Sequence, residues 1–335
     1  MQIRLLLALG IALAAPLHAI PVHAETGEVR IAQQFGISYL PLMVMRHERL
    51  LEAEAAKAGV PGLKVTWAQF GAGNAMNEAL ISGNLDVASG GITPLITIWS
   101  KTRGRQEVRG IAALSAMPLY LNTTNPAVKT VADFTDKDRI ALTAVKISLQ
   151  SIVLQMEAAR LWGDAAWRRF DPLTVSMTHP DGYAAMMSGR SEVTAHFTAA
   201  PYQYQELEDS RVHRVLSSYE VLGGPHTFNT LYTTKAFHDA NPKVYRAVLA
   251  ALDAAAALIA EDPARAAGIY LEEESSKLSR DFVERIIRDP ETVYAGPPRR
   301  VMQWAAFMHK IGSLDPVPAA WTDLFFPEIH QAGGS

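Results

Sequence analysis

The chain has 335 residues, 49% of them hydrophobic and 19% charged, with a formal net charge of −3 and no cysteine. That length exceeds one small core and predicts two domains of ordinary size, while the charge argues against a basic field for nucleic acid. Without thiols there can be no disulfide, cysteine nucleophile or cysteine-ligated metal.

The N-terminus has the order of an export signal. Arg4 precedes an apolar run from Leu5 to Ala15 that is too short to span a bilayer, and "VHA" supplies small residues just before Glu25. Residues 1–24 are expected to be removed, placing the mature chain in a bacterial periplasm, where a large core can hold a fold without disulfides. The longest later apolar run, 245–263, carries Asp253 and reads as an Ala-rich soluble helix.

From 28 onward strands and helices alternate. "EVRIAQQF" (28–35) predicts a strand, 39–59 one helix with Pro41 in its first turn, and "LKVTWAQF" (63–70) a second strand. A turn and helix follow with Asn74 as N-cap, then a third strand, "LDVASGG", another helix from "ITPLITIW", and the strand "VRGIAALS". That rhythm predicts a doubly wound parallel α/β unit. "MPLYLNTTNPAV" (117–128) is extended, and a second unit in the same order follows: a strand before 145, a helix over 147–164, "PLTVSM", "HPDGYAAMMSG" and "EVTAHF". "PHTFNTLYTT" (225–234) is extended again, and the remainder is largely helical.

"SGNLDVASGG" (82–91) and "SGRSEVTAHF" (188–197) share a Ser-Gly turn, an acid and a Val at the same spacing. They are expected to be equivalent helix-to-strand joints in two similar lobes, 25–116 with 224–335 and 117–223, joined by two extended crossings. In parallel α/β sheets ligands lie beyond the carboxyl ends of the strands, so loops at those ends are expected to meet in one cleft. Four segments can bind there through helix starts, backbone N–H groups and short polar side chains. They are Gln33, Gln34, Phe35 and Tyr39; the "GAGN" turn with Gly73 and Asn74; "GGIT" with Gly91 and Thr93; and "KISLQS" with Ser148 and Gln150. Adjacent strand residues face opposite sides, so only one of Gln33 and Gln34 can face the cleft. Phe35 and Tyr39 are either cleft walls or core, and His196 is either a core histidine or a donor to an anion. Asp86 and Glu192 are expected to satisfy or orient their turns rather than to act as an acid–base pair. "GAGNAM" lacks the third glycine of a dinucleotide fingerprint, and "HERLL" (47–51) has Leu51 where a zinc-protease helix needs histidine.

"RIAQQFGISYLPLMVM", "FGAGNAMNEALISGNLDVASGGITPLI", "TVADFTDKDRIAL", "MMSGRSEVTAHFTAAPYQYQELED" and "AAWTDLFFPEIH" together resemble the nitrate/sulfonate/taurine family of periplasmic substrate-binding proteins of ABC importers. The resemblance implies a type II periplasmic-binding-protein fold and hinge closure over a small anionic or polar solute. It also implies delivery to an inner-membrane permease, no enzymatic activity and no cofactor, with the protein acting as a monomer. It adds the loop with His196 and Thr198 and the second crossing near His226 to the ligand-contact regions. It would place a small, Gly- or Ser/Thr-rich stretch where this chain has Lys146 to Gln150. Two other readings are an enzyme of the thiamine-pyrimidine synthase type, disfavoured by the export signal and the absence of cysteine, and the ligand-binding partner of a sensor.

Overall fold

The computed structural model describes residues 25–335; the export signal expected at 1–24 lies outside them. The first unit runs β1 (Glu28–Gln33), α1 (Leu40–His47), α2 (Leu50–Lys57), β2 (Lys64–Gln69), α3 (Gly73–Ile81), β3 (Val87–Gly91), α4 (Ile92–Lys101) and β4 (Arg109–Ala116). The second runs β5 (Tyr120–Thr123), β6 (Ile140–Leu142), α5 (Leu149–Trp162), β7 (Thr174–Ser176), α6 (His179–Ser188), β8 (Ala195–Thr198), α7 (Tyr202–Leu207), β9 (His213–Ser217) and α8 (Ser218–Leu222). The chain then returns as β10 (Asn229–Thr233), α9 (Lys235–Ala240), α10 (Pro242–Glu261), α11 (Pro263–Glu273), α12 (Arg280–Ile287), β11 (Val293–Tyr294) and α13 (Val301–Lys310).

The segment expected to be one helix over 39–59 is two. Arg49 takes a left-handed conformation (φ 53°), which ends α1 and re-aims the chain into α2. A non-glycine residue there breaks the hydrogen-bond ladder. Asn74 is not a cap either: α3 begins at Gly73, and Ala72 holds the cap position.

The strands form two sheets, ordered β11-β4-β10-β3-β1-β2 and β7-β6-β8-β5-β9. Without β11 the orders superimpose, so β2, β1, β3, β10 and β4 answer to β7, β6, β8, β5 and β9. Neither sheet is wholly parallel. β10 runs antiparallel to β3 and β4, and β5 antiparallel to β8 and β9. The reason is the path of the chain. β4 ends at the edge of its sheet that faces the other unit, and the chain crosses directly into β5, which must therefore run away from that edge. The return crossing into β10 does the same.

The two like joints are α3 to β3 and α6 to β8. Gly83 (φ 73°) and Gly189 (φ 62°) take the left-handed turn that a Cβ would strain. Asp86 then fastens β3 to β1: it accepts the Arg30 backbone N–H at 2.8 Å and both guanidinium bonds at 2.9 and 2.7 Å. Glu192, its counterpart, is exposed. A continuous core that includes Ile31, Ile111, Leu231, Trp304 and Phe325 runs beneath both units, and a small cluster of Ala141, Met186, Val193 and Val212 lies under α6.

Candidate functional site

The strand ends of the two sheets face each other across a cavity of about 190 Å³. The first unit contributes the loop after β1 (Gln34, Phe35), Tyr39, the start of α3 and the β3–α4 junction. The second contributes the loop after β6, the start of α5 and His179 at the start of α6, and the return crossing contributes Phe228 and Asn229. A Cβ on Gly73 would sit 2.9 Å from Pro94 Cγ, so the missing side chain is what lets α3 and α4 begin side by side.

Tyr39 is buried, which raises its hydroxyl well above its ordinary value and keeps it protonated. Asn77 is committed to structure: its Oδ1 accepts from the Tyr232 hydroxyl at 2.6 Å and its Nδ2 donates to the Pro94 carbonyl at 3.1 Å. The Thr143 hydroxyl donates to Gln150 Oε1 at 3.3 Å, leaving the Gln150 Nε2. Ser148 caps α5, its Oγ accepting from the Ser151 N–H at 3.3 Å. Asn229 Nδ2 donates to Ser38 Oγ at 2.8 Å, while its fully buried Oδ1 has no partner.

His179 is the one ionisable group of the inner wall contributed by the second unit. Its Nδ1 lies 2.8 Å from Thr198 Oγ1 and its ring stacks on Tyr202 at 6.0 Å. Burial, with the nearby His196 adding to it, lowers its pKa to about 3. It is therefore neutral across the physiological range.

Among the residues named from sequence, Gln34, Phe35, Tyr39, Gly73, Asn74, Gly91, Ser148 and Gln150 line the cavity. The others lie behind it. Gln33 is buried on the opposite side of β1 with Oε1 unpaired. The Thr93 hydroxyl is spent on the Ile147 carbonyl at 3.3 Å. His196 is not a donor at the cleft: it is fully buried, with Nδ1 2.6 Å from Glu206 Oε1, and Glu206 also accepts from Asn122 Nδ2 at 2.8 Å. Thr198 supports His179 instead of facing a ligand. His226 lies 2.9 Å from Ser218 Oγ and 3.0 Å from the Thr227 carbonyl, between Tyr219 and Trp304, and pins the return crossing.

Sequence reasoning did not single out His179, Asn229, Phe228, Thr143 or Thr97, all of which line the cavity. One signal was available. The offset that carries Ser82 onto Ser188, 106 residues, also carries Gly73 onto His179. The first residues of two equivalent helices thus meet across the cleft.

The two units touch over the cavity. Besides Thr93 and Ile147, the Ile37 N–H donates to the Ala200 carbonyl at 3.2 Å, and a Cβ on Gly71 would fall 2.8 Å from Thr178 Cγ2. Among the described residues no helix is long and apolar enough to cross a membrane, and no cluster of three His, Asp or Glu could hold a metal ion.

No protein-family model matches the sequence, and no curated protein sequence does. Solved structures do match. The alkanesulfonate-binding protein of Xanthomonas axonopodis pv. citri, bound to MOPS, is 22% identical with a TM-score of 0.68 over 87% of this chain and 95% of its own. The periplasmic nitrate-binding protein of Synechocystis PCC 6803 is 16% identical with a TM-score of 0.68 over 87% and 83%. A Candida albicans protein described as having the generic periplasmic binding protein fold is 12% identical with a TM-score of 0.66 over 87% and 92%. Two mixed sheets of matching order joined by two crossings, together with the likeness to these neighbours, give this chain the periplasmic-binding-protein fold.

Proposed function

We propose that the chain is the substrate-binding component of an ABC importer, exported to the periplasm, where it captures a small solute by closing two lobes over it and hands it to a permease. The lobes of this reading are 25–116 with 224–335, and 117–223. The observation that carries it is the cavity itself: both lobes and the return crossing line it with polar groups, and the lobes bond directly to each other beside it. Donors from both lobes can be satisfied together only when the lobes are shut, so a solute stabilises closure by its differential affinity for that state. A cavity of about 190 Å³ falls below the ~300–1,000 Å³ of drug-sized sites and suits a small solute. Its walls hold amides, hydroxyls and a neutral histidine, a set that supports binding rather than catalysis. The alkanesulfonate- and nitrate-binding neighbours make small oxyanions the first class to test.

The test uses residues 25–335, a thermal-shift panel of sulfonates, nitrate, carboxylates and pyrimidines, and small-angle scattering with each hit. A solute at a hundred times its Kd adds about 2.7 kcal/mol to stability, and closure contracts the particle. A panel-wide absence of both effects would remove this reading.

A further inference from the structure

We infer that the cleft takes an amphipathic solute, with a polar head at the helix starts and an unbranched apolar tail laid along the groove between α3 and α4. The inference rests on the binding-protein reading above and names the substrate class of that same site.

The first observation is the shape of the lining. α3 contributes Asn74, Asn77, Glu78 and Ile81, and α4 contributes Pro94, Thr97, Ile98 and Lys101. Each set is one face of a helix, with residues three or four apart. Each runs from the first turn of its helix to the last, so the cavity continues from the strand ends as a groove. At 1.5 Å per residue, the stretch from Asn74 to Ile81 is about 10 Å long. A linear solute matches a space of that shape.

The second observation is how polarity is distributed along it. Asn77 is committed to Tyr232 and Pro94, and Thr97 Oγ1 donates to the Thr93 carbonyl at 2.9 Å. With those polar groups engaged inside the first unit, the groove offers mainly the carbons of Pro94, Ile98 and Ile81. Among the described residues lining the cavity, the charged side chains are Glu78 and Lys101, and both are exposed. Gln34, Asn74, Ser148 and Gln150 gather instead at the helix starts and strand exits. One end is thus suited to a polar head and the other to hydrocarbon.

The third observation is apolar surface left open. Ile81 is 42% exposed and Ile147 is 45% exposed, the two highest values among the four exposed large hydrophobics of the described residues. Both line this cavity, one from each unit. Single exposed apolar side chains are ordinary, but these two share one space that a solute can enter. Contact between the units does not cover them: the Ile147 carbonyl already accepts from Thr93, yet its side chain stays open. A tail lying between them removes their surface from water, a gain of about fourfold in affinity for each methylene covered.

The experiment is titration calorimetry of residues 25–335 with three pairs of probes: methanesulfonate and hexanesulfonate, acetate and hexanoate, acetamide and hexanamide. For each head group that binds, the longer member is expected to bind at least tenfold tighter, the worth of about two covered methylenes. The ratio of long to short is then measured in Ile147→Ser and Ile81→Ser, exposed positions whose melting curves report folding. It should fall severalfold in each. Equal affinities within the pairs, or a shorter member that binds tighter, overturn the inference and leave the binding-protein reading standing. A ratio that neither variant moves places the tail elsewhere and overturns it as well. Binding of none of the six overturns it too, and the binding-protein reading then stands or falls on the wider panel and the scattering test.

Discussion

Gly182 is the residue on which the inner wall of the second lobe depends. A Cβ there would lie 2.6 Å from His196 Nε2 and 2.9 Å from its Cδ2, and His196 cannot retreat because Glu206 holds its other nitrogen. Gly182→Ala must therefore push α6 off the strand beneath it, and α6 carries His179 at its first position. Overpacking of this kind costs about 1–3 kcal/mol, to be read from a denaturant midpoint, and it should weaken ligand binding by displacing His179. An unchanged midpoint would show that α6 is not seated on His196. The same contact decides between the two readings the sequence left open for His196, core histidine or cleft donor, in favour of the core. His196 and Thr198 share one face of β8 by the period of two, and that face is covered by α6. Nothing local says that a helix lies over the strand end, so a strand-end histidine looked available when it is one layer deeper. The residues that did line the cavity as expected, such as Gln34, Gly73 and Ser148, sit at helix starts and strand exits, where local sequence fixes geometry.

At the level of elements the alternation of strand and helix was legible throughout, because apolar periodicity and Gly or Pro punctuation are local. The antiparallel strands β5 and β10 were read only as extended, since strand direction depends on which edge the chain enters. The break at Arg49 was missed because Glu48-Arg49-Leu50 carries no helix-stopping residue. The contact between the start of α4 and the segment before α5 is likewise a matter of two elements meeting. The Thr93 hydroxyl bridges to the Ile147 carbonyl across the cleft, at a junction where Gly91 brings the chain close to Leu149. Thr93→Val keeps the shape and removes the bond. If, as proposed, the bond belongs to a closed arrangement, its loss appears in ligand affinity, about 1 kcal/mol or roughly fivefold, with little change in the melting point of the ligand-free protein. A lower melting point with unaltered affinity would assign Thr93 to the core of its own lobe instead.

For the molecule as a whole the buried histidines set how stability answers to acid. His226, which pins the return crossing, is lowered to about 4, first by burial and then by Arg300 against the opposing Thr227 bond; His179 is lowered to about 3. In the unfolded chain both titrate near 6.5. Between about 4 and 6.5 the unfolded state therefore binds protons that the folded state refuses, and stability falls as pH drops through that window. Glu274 works against this. Burial above all raises it to about 7, from an ordinary value of 4.5, so the folded state holds the extra proton between those values and stability there rises as pH drops. Two histidines against one glutamate leave a net loss in acid that approaches about 1.4 kcal/mol per pH unit, or roughly 2 °C in Tm for a chain of this size. Near 4.5 Glu274 becomes protonated in both states and its opposition ends, but the folded His226 begins to take its own proton at about 4, so the slope steepens only briefly. Asp138, Asp209 and Asp239, held below their ordinary range, add their own loss only below about pH 4, and Asp253, raised by burial, opposes the loss above its ordinary value. His226→Gln retains a donor and an acceptor for Thr227 and Ser218 but cannot take up a proton in the unfolded chain. Its Tm should stay level or rise slightly from pH 6.5 to 5, as Glu274 then cancels His179, while the parent falls. A parent Tm that holds steady over that interval, or a variant that falls as steeply as the parent, would mean that acid reaches this fold through other groups.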